Sequence, residues 1–163
     1  MTIKVLRPIN GGKDIYVLRD AKLKFKNFSG KKGQYPNGNR NVSVIIDEED
    51  KAMLESKGYY VNDWVNPNTN EHEYTVRLNI KMLPGNTATV KQHVGNNPDY
   101  VLLTAETIES LDMCSIFKAD VSWTYGFNKM NNRWSAYLHK LDAFIVPDEF
   151  APDAGDYYIE TYD

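Results

Sequence analysis

The chain has 163 residues, 42% of them hydrophobic and 25% charged, with a formal net charge of −3, which is typical of one globular domain with its own core. No apolar run is long enough to cross a bilayer, and the first residues lack the apolar segment of a signal peptide. Because Cys114 is the single cysteine, an intrachain disulfide is excluded, and together these features favour a reducing cytoplasm.

The charges are unevenly distributed along the chain. Residues 1–46 hold ten lysines and arginines against two aspartates, a net charge of +8, so the remainder carries −11. Residues 148–163 contain six acids and no base. A basic N-terminal part combined with an acidic tail points towards contact with nucleic acid.

The first strands are short. Two apolar runs, Ile3–Leu6 and Ile15–Leu18, are separated by a glycine-rich turn signal, which predicts an N-terminal arm or a small hairpin. Residues 21–28 then alternate with a period of two, as half-buried strands do. The alternation assigns one set of side chains to the core and the other to an exposed basic face: Ala21, Leu23 and Phe25 to the core, and Lys22, Lys24 and Lys26 to the exposed face.

A lysine-lined face has two interpretations. It can bind an anionic partner, or it can protect an edge strand from aggregation. The glycine-rich loop that follows adds Lys31, Lys32, Tyr35 and Arg40, and a basic hairpin with an aromatic loop suits a phosphate backbone and its bases. The residues of this stretch leave both interpretations open.

A short helix is predicted after the strand 41–46. Asp47 can cap its first turn, and the acids that follow favour the positive end of the helix dipole. Gly58 ends the helix after about Lys57. The run of acids at 47–50 also resembles a metal site, but consecutive acids followed by good helix formers are better explained as a helix start.

The rest of the chain reads mainly as strands. The clearest is Glu73–Leu83, in which Tyr74, Val76, Leu78, Ile80 and Met82 face the core and Thr75, Arg77, Asn79 and Lys81 face outwards. Further strands are predicted at 59–65, 87–94, 100–103, 114–127 and 133–146, with a weak helix near 104–111. Six to eight strands, two short helices and many turns predict a mainly β protein, an antiparallel β-barrel with one or two short helices and an acidic C-terminal tail.

No catalytic arrangement is evident. The three histidines, His72, His93 and His139, show no metal-ligand spacing with one another or with Cys114. No glycine pattern follows a strand and opens a helix, so the phosphate-binding fingerprints are missing. The sequence therefore favours a protein that is not an enzyme and that needs no cofactor or metal.

The remaining feature that points to a function is a set of lysine and arginine residues interleaved with aromatic side chains. Alternation places Trp123, Tyr125 and Phe127 in the core, whereas Tyr35 and Trp134 lie in or beside turns. Exposed aromatic rings can stack nucleic-acid bases of any sequence. Tyr35 and Trp134 are therefore the aromatic candidates for such contacts.

Two blocks of the sequence resemble a known family. Asp20–Gly30 (DAKLKFKNFSG) and Gly38–Asp47 (GNRNVSVIID) resemble tailed-bacteriophage single-stranded DNA-binding proteins with an OB-fold. The resemblance extends more weakly through Tyr74–Met82 and the long C-terminal hairpin, and so covers about residues 20–147. The segment before Asp20 and the loop Gly85–Pro98 do not match this family.

The resemblance implies a five-stranded barrel with additions that coats single-stranded DNA (ssDNA) without sequence preference in replication or recombination. It implies an OB-fold-like domain at 20–147. The residue patterns add an N-terminal arm or hairpin at 1–19 and an acidic flexible tail at 148–163. The resemblance also implies that the tail recruits phage or host replication proteins in the cytoplasm of the infected bacterial host, although the chain ends in Asp163 rather than an aromatic residue. A tail that only solubilises the protein is an equal alternative.

The sequence thus predicts that seven cations hold phosphates and two aromatic rings stack bases: Lys24, Lys26, Lys31, Lys32, Arg40, Arg77 and Lys81, with Tyr35 and Trp134. Two other functions remain open. A phage structural or assembly protein could use the basic face of a similar barrel to dock a protein partner. An enzyme, such as a nuclease accessory protein, could use acids assigned here to turns.

Overall fold

The structure is a computed structural model that describes residues 2–31 and 39–147. Short strands alternate with turns until two long strands form a hairpin near the C-terminal end of the described region. The elements are β1 (Lys4–Leu6), β2 (Ile15–Ala21), β3 (Leu23–Asn27), β4 (Asn41–Ile46), α1 (Glu48–Ser56), β5 (Asn62–Val65), β6 (His72–Asn79), β7 (Met82–Leu83), β8 (Asn86–Thr87), β9 (Thr89–Val94), β10 (Val101–Leu103), a 3₁₀ helix (Ile108–Met113), β11 (Ile116–Asn128) and β12 (Arg133–Ile145).

The main sheet follows the order β1-β2-β11-β12-β6-β4-β3. Only Lys22 separates β2 from β3, and these strands pair with different neighbours, β2 with β11 and β3 with β4. β2 and β3 are therefore two parts of one bent strand. In the strand order, β2 lies near one end and β3 lies at the other end. Hydrogen bonds between strands do not close this path among the described residues. A five-stranded, partly open barrel is the architecture of the OB-fold, so the predicted mainly β fold class is confirmed.

The long strand β12 connects the barrel to its additions. Along one side it pairs antiparallel with β11. Along the other side it pairs in parallel, first with β6 at Ala136–Tyr137 and then with β9 at Lys140–Ile145. β10 and β5 extend the sheet beyond β9 and β6, so the barrel is mixed rather than purely antiparallel.

The core is filled by the strand faces that the alternation predicted. Val76 and Leu78 of β6 and Ile80 directly after it are buried, as are Trp123 and Tyr125 of β11. Phe127 is different, because it lies at the open end of the hairpin with 45% of its surface exposed. Its assignment to the core is wrong, since β11 extends beyond the barrel at this point.

The predicted lysine face of residues 21–28 is also wrong. β3 contains one more residue than β4 between the Lys24–Ser43 and Asn27–Asn41 pairs, which is a bulge. Phe25 lies in this bulge with a φ of +53°, and its side chain is 57% exposed instead of facing the core. Because a bulge shifts the alternation by one residue, the three lysines do not share one open face.

The helix begins and ends as predicted. The Asp47 carboxylate accepts a hydrogen bond of 2.7 Å from the Asp50 amide, and Gly58 follows the helix with a φ of +88°. Asp50 is fully buried and accepts hydrogen bonds from the Thr2 hydroxyl at 2.6 Å and from the Ile3 amide at 3.3 Å. One acid of the predicted acidic run therefore anchors the N-terminal segment to α1.

The N-terminal segment, predicted as an arm or a small hairpin, contains two strands that pair with each other. β1 pairs antiparallel with β2, with Lys4 opposite Val17. The segment boundary drawn at residue 19 lies within β2, which continues to Ala21. The division of the chain into three segments stays a prediction. No helix of the described residues is long and apolar enough to span a membrane.

Candidate nucleic-acid interface

An open groove of about 700 Å³ lies where β6 meets the start of β12 and the segment that follows α1. The groove combines cationic, aromatic and amide side chains. Its lining residues are Gly58, Tyr60, Asn62, Val76, Arg77, Asn79, Tyr125, Asn131, Asn132, Arg133, Trp134, Ser135 and Ala136. None of these described lining residues is acidic, so the groove attracts anions.

Two guanidinium groups give the groove its positive charge. Arg77 projects from the outward face of β6, as predicted, and Arg133 begins β12; both are exposed. Neither side chain forms a hydrogen bond or ion pair with another residue of the described ranges. Both guanidinium groups are therefore available to a phosphate, which they can bind with two parallel hydrogen bonds.

Aromatic rings form one wall of the same groove. Trp134 is 43% exposed, and its ring meets Tyr59 edge to face at a centroid distance of 5.7 Å. Tyr59 in turn stacks on Tyr125, with centroids 3.6 Å apart and an interplanar angle of 9°. Tyr60, which is 73% exposed, adds a second accessible ring. Trp134 is thus held from behind by the core while part of its surface faces the groove.

A smaller groove of about 330 Å³ adjoins the first, because Asn79 lines both. Its cations are Arg40 and Lys81. The Arg40 guanidinium donates to the carbonyl oxygens of Phe28 at 2.6 Å and Ala105 at 3.0 Å, which fixes its position. The two grooves bring together four of the predicted site residues, namely Arg40, Arg77, Lys81 and Trp134.

Three predicted lysines have partners within the protein. Lys24 forms an ion pair with Glu73 and lies 3.8 Å from the centroid of the Trp64 ring. Lys26 donates to the carbonyl oxygens of Leu111 and Cys114 at the end of the 3₁₀ helix. These contacts hold β3 against its neighbours, and neither lysine lines the two grooves.

Lys31 differs from these two because its side chain is 74% exposed and pairs with Glu109 at 3.2 Å. An exposed ion pair of this kind contributes little free energy and can exchange partners. The remaining candidates, Lys32 and Tyr35, lie outside the described residues. Phosphate or base contacts by all nine predicted side chains stay predictions.

Sequence reasoning missed two residues of the larger groove. Arg133 follows the asparagine-rich turn directly and precedes Trp134, so its position beside a candidate ring was a usable signal. Tyr60 belongs to a tyrosine pair after Gly58, in which Tyr59 packs against the core and Tyr60 faces solvent. Arg133 and Tyr60 line the same groove as Arg77 because of the way the strands pair. The spacing of these residues along the sequence does not reveal that pairing.

No group of three or more histidine, cysteine, aspartate or glutamate side chains that could hold a metal ion lies within residues 2–31 and 39–147. His93 is buried, and its ring nitrogens lie 2.8 Å from Asp142 Oδ1 and 3.0 Å from the Asn97 carbonyl oxygen. His72 pairs with Asp63 at 2.7 Å on the surface. These histidines therefore make structural contacts within the chain.

Comparison with known proteins assigns the family. Residues 12–153 match a family model described as "Putative phage ssDNA-binding domain". The chain belongs to this family. The match covers most of the chain and includes β2 and both grooves, so the function is binding of ssDNA, and the resemblance seen in the sequence is confirmed. No curated protein matches the chain in sequence.

The chain also shows a distant likeness to two solved structures. The single-stranded DNA-binding protein from bacteriophage Enc34 is 8% identical, with a TM-score of 0.49 over 93% of this chain and 94% of that chain. The structure of that protein in complex with ssDNA is 9% identical, with a TM-score of 0.46 over 84% and 89% of the two chains. At these values no residue role is transferred, and the assignment rests on the family model.

Proposed function

We propose that this protein coats ssDNA without sequence preference during phage replication or recombination, in the cytoplasm of the infected bacterial host. The observation that carries the proposal is the pair of adjoining grooves, in which four cations and two exposed rings meet without an acid among the described lining residues. Family membership supports the same conclusion.

The chemistry of the grooves explains binding without sequence preference. Arg40, Arg77, Lys81 and Arg133 offer positive charge to phosphates, which every nucleotide carries. Trp134 and Tyr60 offer flat rings, and each base–aromatic stack contributes roughly 1–3 kcal/mol whatever the base. Asparagine amides such as that of Asn132, which is exposed and lines the larger groove, can donate to phosphate oxygens or sugars, contacts that position a strand but do not read its sequence.

Binding alone accounts for the activity, since no bond is made or broken. A protein that binds the single strand but not the duplex shifts the melting equilibrium of hairpins by mass action. Stacking requires unpaired bases, whose faces are hidden in a duplex. The wall formed by Trp134 and Tyr60 is therefore the part of the site that distinguishes single strands from duplex DNA.

The predicted lysines outside the grooves and the acidic tail belong to the same proposal. Lys31 can release Glu109 for a phosphate at little cost because the ion pair is exposed. Lys24 and Lys26 would have to break contacts that hold β3 before they bind a phosphate. Phosphate binding by these two lysines would therefore cost more free energy than binding by Lys31. The tail 148–163 would bind phage or host replication proteins.

Fluorescence anisotropy of labelled oligo-dT at several salt concentrations tests the proposal, with duplex DNA as competitor. We expect tight binding of the single strand and weak competition by the duplex. The logarithm of affinity should fall with the logarithm of salt by roughly 0.7 per phosphate contact. Absence of binding at low salt, with and without residues 148–163, would contradict the proposal and return attention to a phage assembly role.

A further inference from the structure

Six strands of the sheet form a continuous layer in the order β1-β2-β11-β12-β9-β10. The strand at each end of this layer has one unpaired edge. A single row of paired residues crosses five of them: Leu18, Val121, Leu141, Val90 and Leu103. All five side chains are buried. Among the described residues β1 pairs only with β2, and β10 pairs only with β9. Both outer edges can therefore accept another strand.

The β10 edge is apolar and lies between acids. Tyr100, Val101 and Leu102 are consecutive and are 52%, 61% and 57% exposed. Asp99 precedes them and Glu106 follows shortly after, both exposed. An exposed apolar edge strand of this kind is unusual unless another chain covers it.

The β1 edge carries the opposite charge. Lys4 and Leu6 are exposed, Leu6 by 53%. Arg7 follows with a side chain that is 76% exposed, and its one ion pair, with Asp14, is long at 3.8 Å. Ile9 adds a fully exposed apolar side chain nearby. The two edges thus combine apolar side chains with complementary charges.

We propose that the β10 edge of one copy pairs with the β1 edge of the next copy, so that the sheets join head to tail. Following the pairings across the layer shows that β1 and β10 run in the same direction. A second copy in the same orientation therefore adds β1 to β10 as a parallel strand. The row that ends at Leu103 then continues into the neighbouring copy.

Charge selects this arrangement over a symmetric dimer. Pairing β10 with β10 would bring the acids Asp99 and Glu106 of two copies together, and pairing β1 with β1 would do the same for Lys4 and Arg7. The edges lie at opposite ends of the layer, so they cannot pair within one chain. A head-to-tail contact between different surfaces does not close on itself and forms an open filament.

The β10 contact lies away from the larger DNA groove. β9 and β10 are attached to β12 at Lys140–Ile145, whereas the larger groove lies at Arg133–Ala136. Neighbouring copies can therefore bind one strand of DNA together. This function of the filament rests on the proposed coating of ssDNA, but self-association of the protein does not.

Charge reversal at each edge tests the proposal with the full chain. One variant carries Lys4→Glu and Leu6→Glu, a second carries Asp99→Lys and Leu102→Lys, and a third combines all four substitutions. All four positions are exposed, so folding should be preserved. Lys22→Glu is the matched control, because Lys22 is exposed but lies on neither edge.

Sedimentation velocity without DNA is the first measurement. We expect the wild type and the Lys22→Glu control to associate progressively with concentration, each single-edge variant to remain monomeric, and the combined variant to associate again. If only the β10 variant or only the β1 variant loses association, and the combined variant does not recover it, the interface is symmetric and the proposal is wrong. A wild type that stays monomeric at all concentrations also overturns it.

Anisotropy with DNA separates this inference from the proposed function. For the wild type, affinity per site should be roughly tenfold or more higher on long oligo-dT than on an oligonucleotide that holds one copy, because neighbours bind cooperatively. The single-edge variants should keep wild-type affinity for the short oligonucleotide and lose the gain on the long one. If the wild type does not bind the short oligonucleotide at all, the proposed function is contradicted instead.

Discussion

The cationic side chains differ in whether other residues of the protein already bind them. The Arg77 and Arg133 guanidinium groups have no hydrogen-bond or ion-pair partner among the described residues, whereas Lys24 is held by Glu73 and Trp64. A cation without a partner binds phosphate without breaking an existing contact. Arg77 and Arg133 are therefore expected to contribute more to DNA affinity than the lysines of β3.

Arg77→Gln should weaken binding of oligo-dT by about three- to tenfold and reduce the salt slope by roughly 0.7, because one phosphate contact is lost. The effect should be the same for different base sequences. Lys22→Gln, an exposed charge outside both grooves, is the matched control. Anisotropy at several salt concentrations gives both quantities, and an unchanged slope in Arg77→Gln would remove this residue from the interface.

Trp134→Ala should weaken ssDNA binding by roughly 5- to 150-fold, the effect of losing one base stack. Trp134→Phe should retain most of the affinity because a ring remains. The chain has three tryptophans, of which Trp123 is fully buried and Trp64 lies beneath Lys24. Fluorescence quenching by oligo-dT should therefore persist in Trp64→Phe and disappear in Trp134→Phe; the reverse pattern would place the stacking site at Trp64.

At the level of elements, a single bulge rearranges the basic strand that the sequence emphasised. The extra residue in β3 turns Phe25 outwards, where its ring meets Trp64 edge to face at 5.6 Å. The next residue, Lys26, is directed to the carbonyl oxygens of the 3₁₀ helix. The bulge thereby converts one lysine from a surface charge into a link between elements.

Asp50→Asn should lower the free energy of unfolding by about 1–3 kcal/mol, because a buried carboxylate that accepts hydrogen bonds from Thr2 and Ile3 loses its charge and one acceptor. Glu48→Gln, at an exposed position of the same helical turn, should cost roughly 0.3–1 kcal/mol through the helix dipole. Urea unfolding of both variants measures the difference. Equal effects would mean that the N-terminal anchor contributes nothing to stability.

At the level of the whole molecule, the barrel core encloses tyrosines as well as aliphatic side chains. Tyr16 and Tyr125 are almost completely buried and meet edge to face at 5.1 Å. Burial raises the pKa of both phenols above the usual value of about 10. The folded chain therefore keeps two protons that the unfolded chain releases in alkaline solution.

Stability should consequently be fully present below pH 10 and fall as the pH rises above that value. Each buried tyrosine contributes a slope of about 1.4 kcal/mol per pH unit, since the unfolded state ionises first. Tyr125→Phe removes one of these contributions, so its unfolding free energy should fall less steeply between pH 10 and 11 than that of the wild type. Parallel curves for the two proteins, measured by urea unfolding, would contradict the assignment.

Local patterns in the sequence determined much of the architecture. The alternation at 74–80 predicted that Val76 and Leu78 of β6 are buried, although Thr75, predicted to face outwards, is buried as well. Asp47 and Gly58 predicted both ends of α1, because side-chain periodicity and capping depend on neighbouring residues. The family was also predicted, from the blocks 20–30 and 38–47. Arg77 and Lys81 were identified as candidates because they lie at outward-facing positions of an alternating strand, and Trp134 because it follows a turn.

The tertiary structure decided which of these residues meet. Lys24 lies opposite Glu73, 49 positions away along the chain, and Arg77 shares a groove with Arg133, a juxtaposition that no local period can express. The bulge at Phe25 reversed an alternation that looked regular, since the energy of a bulge depends on the partner strand β4. The two free edges became visible only when the strand order was known, because pairing is a property of the whole sheet and not of any one strand.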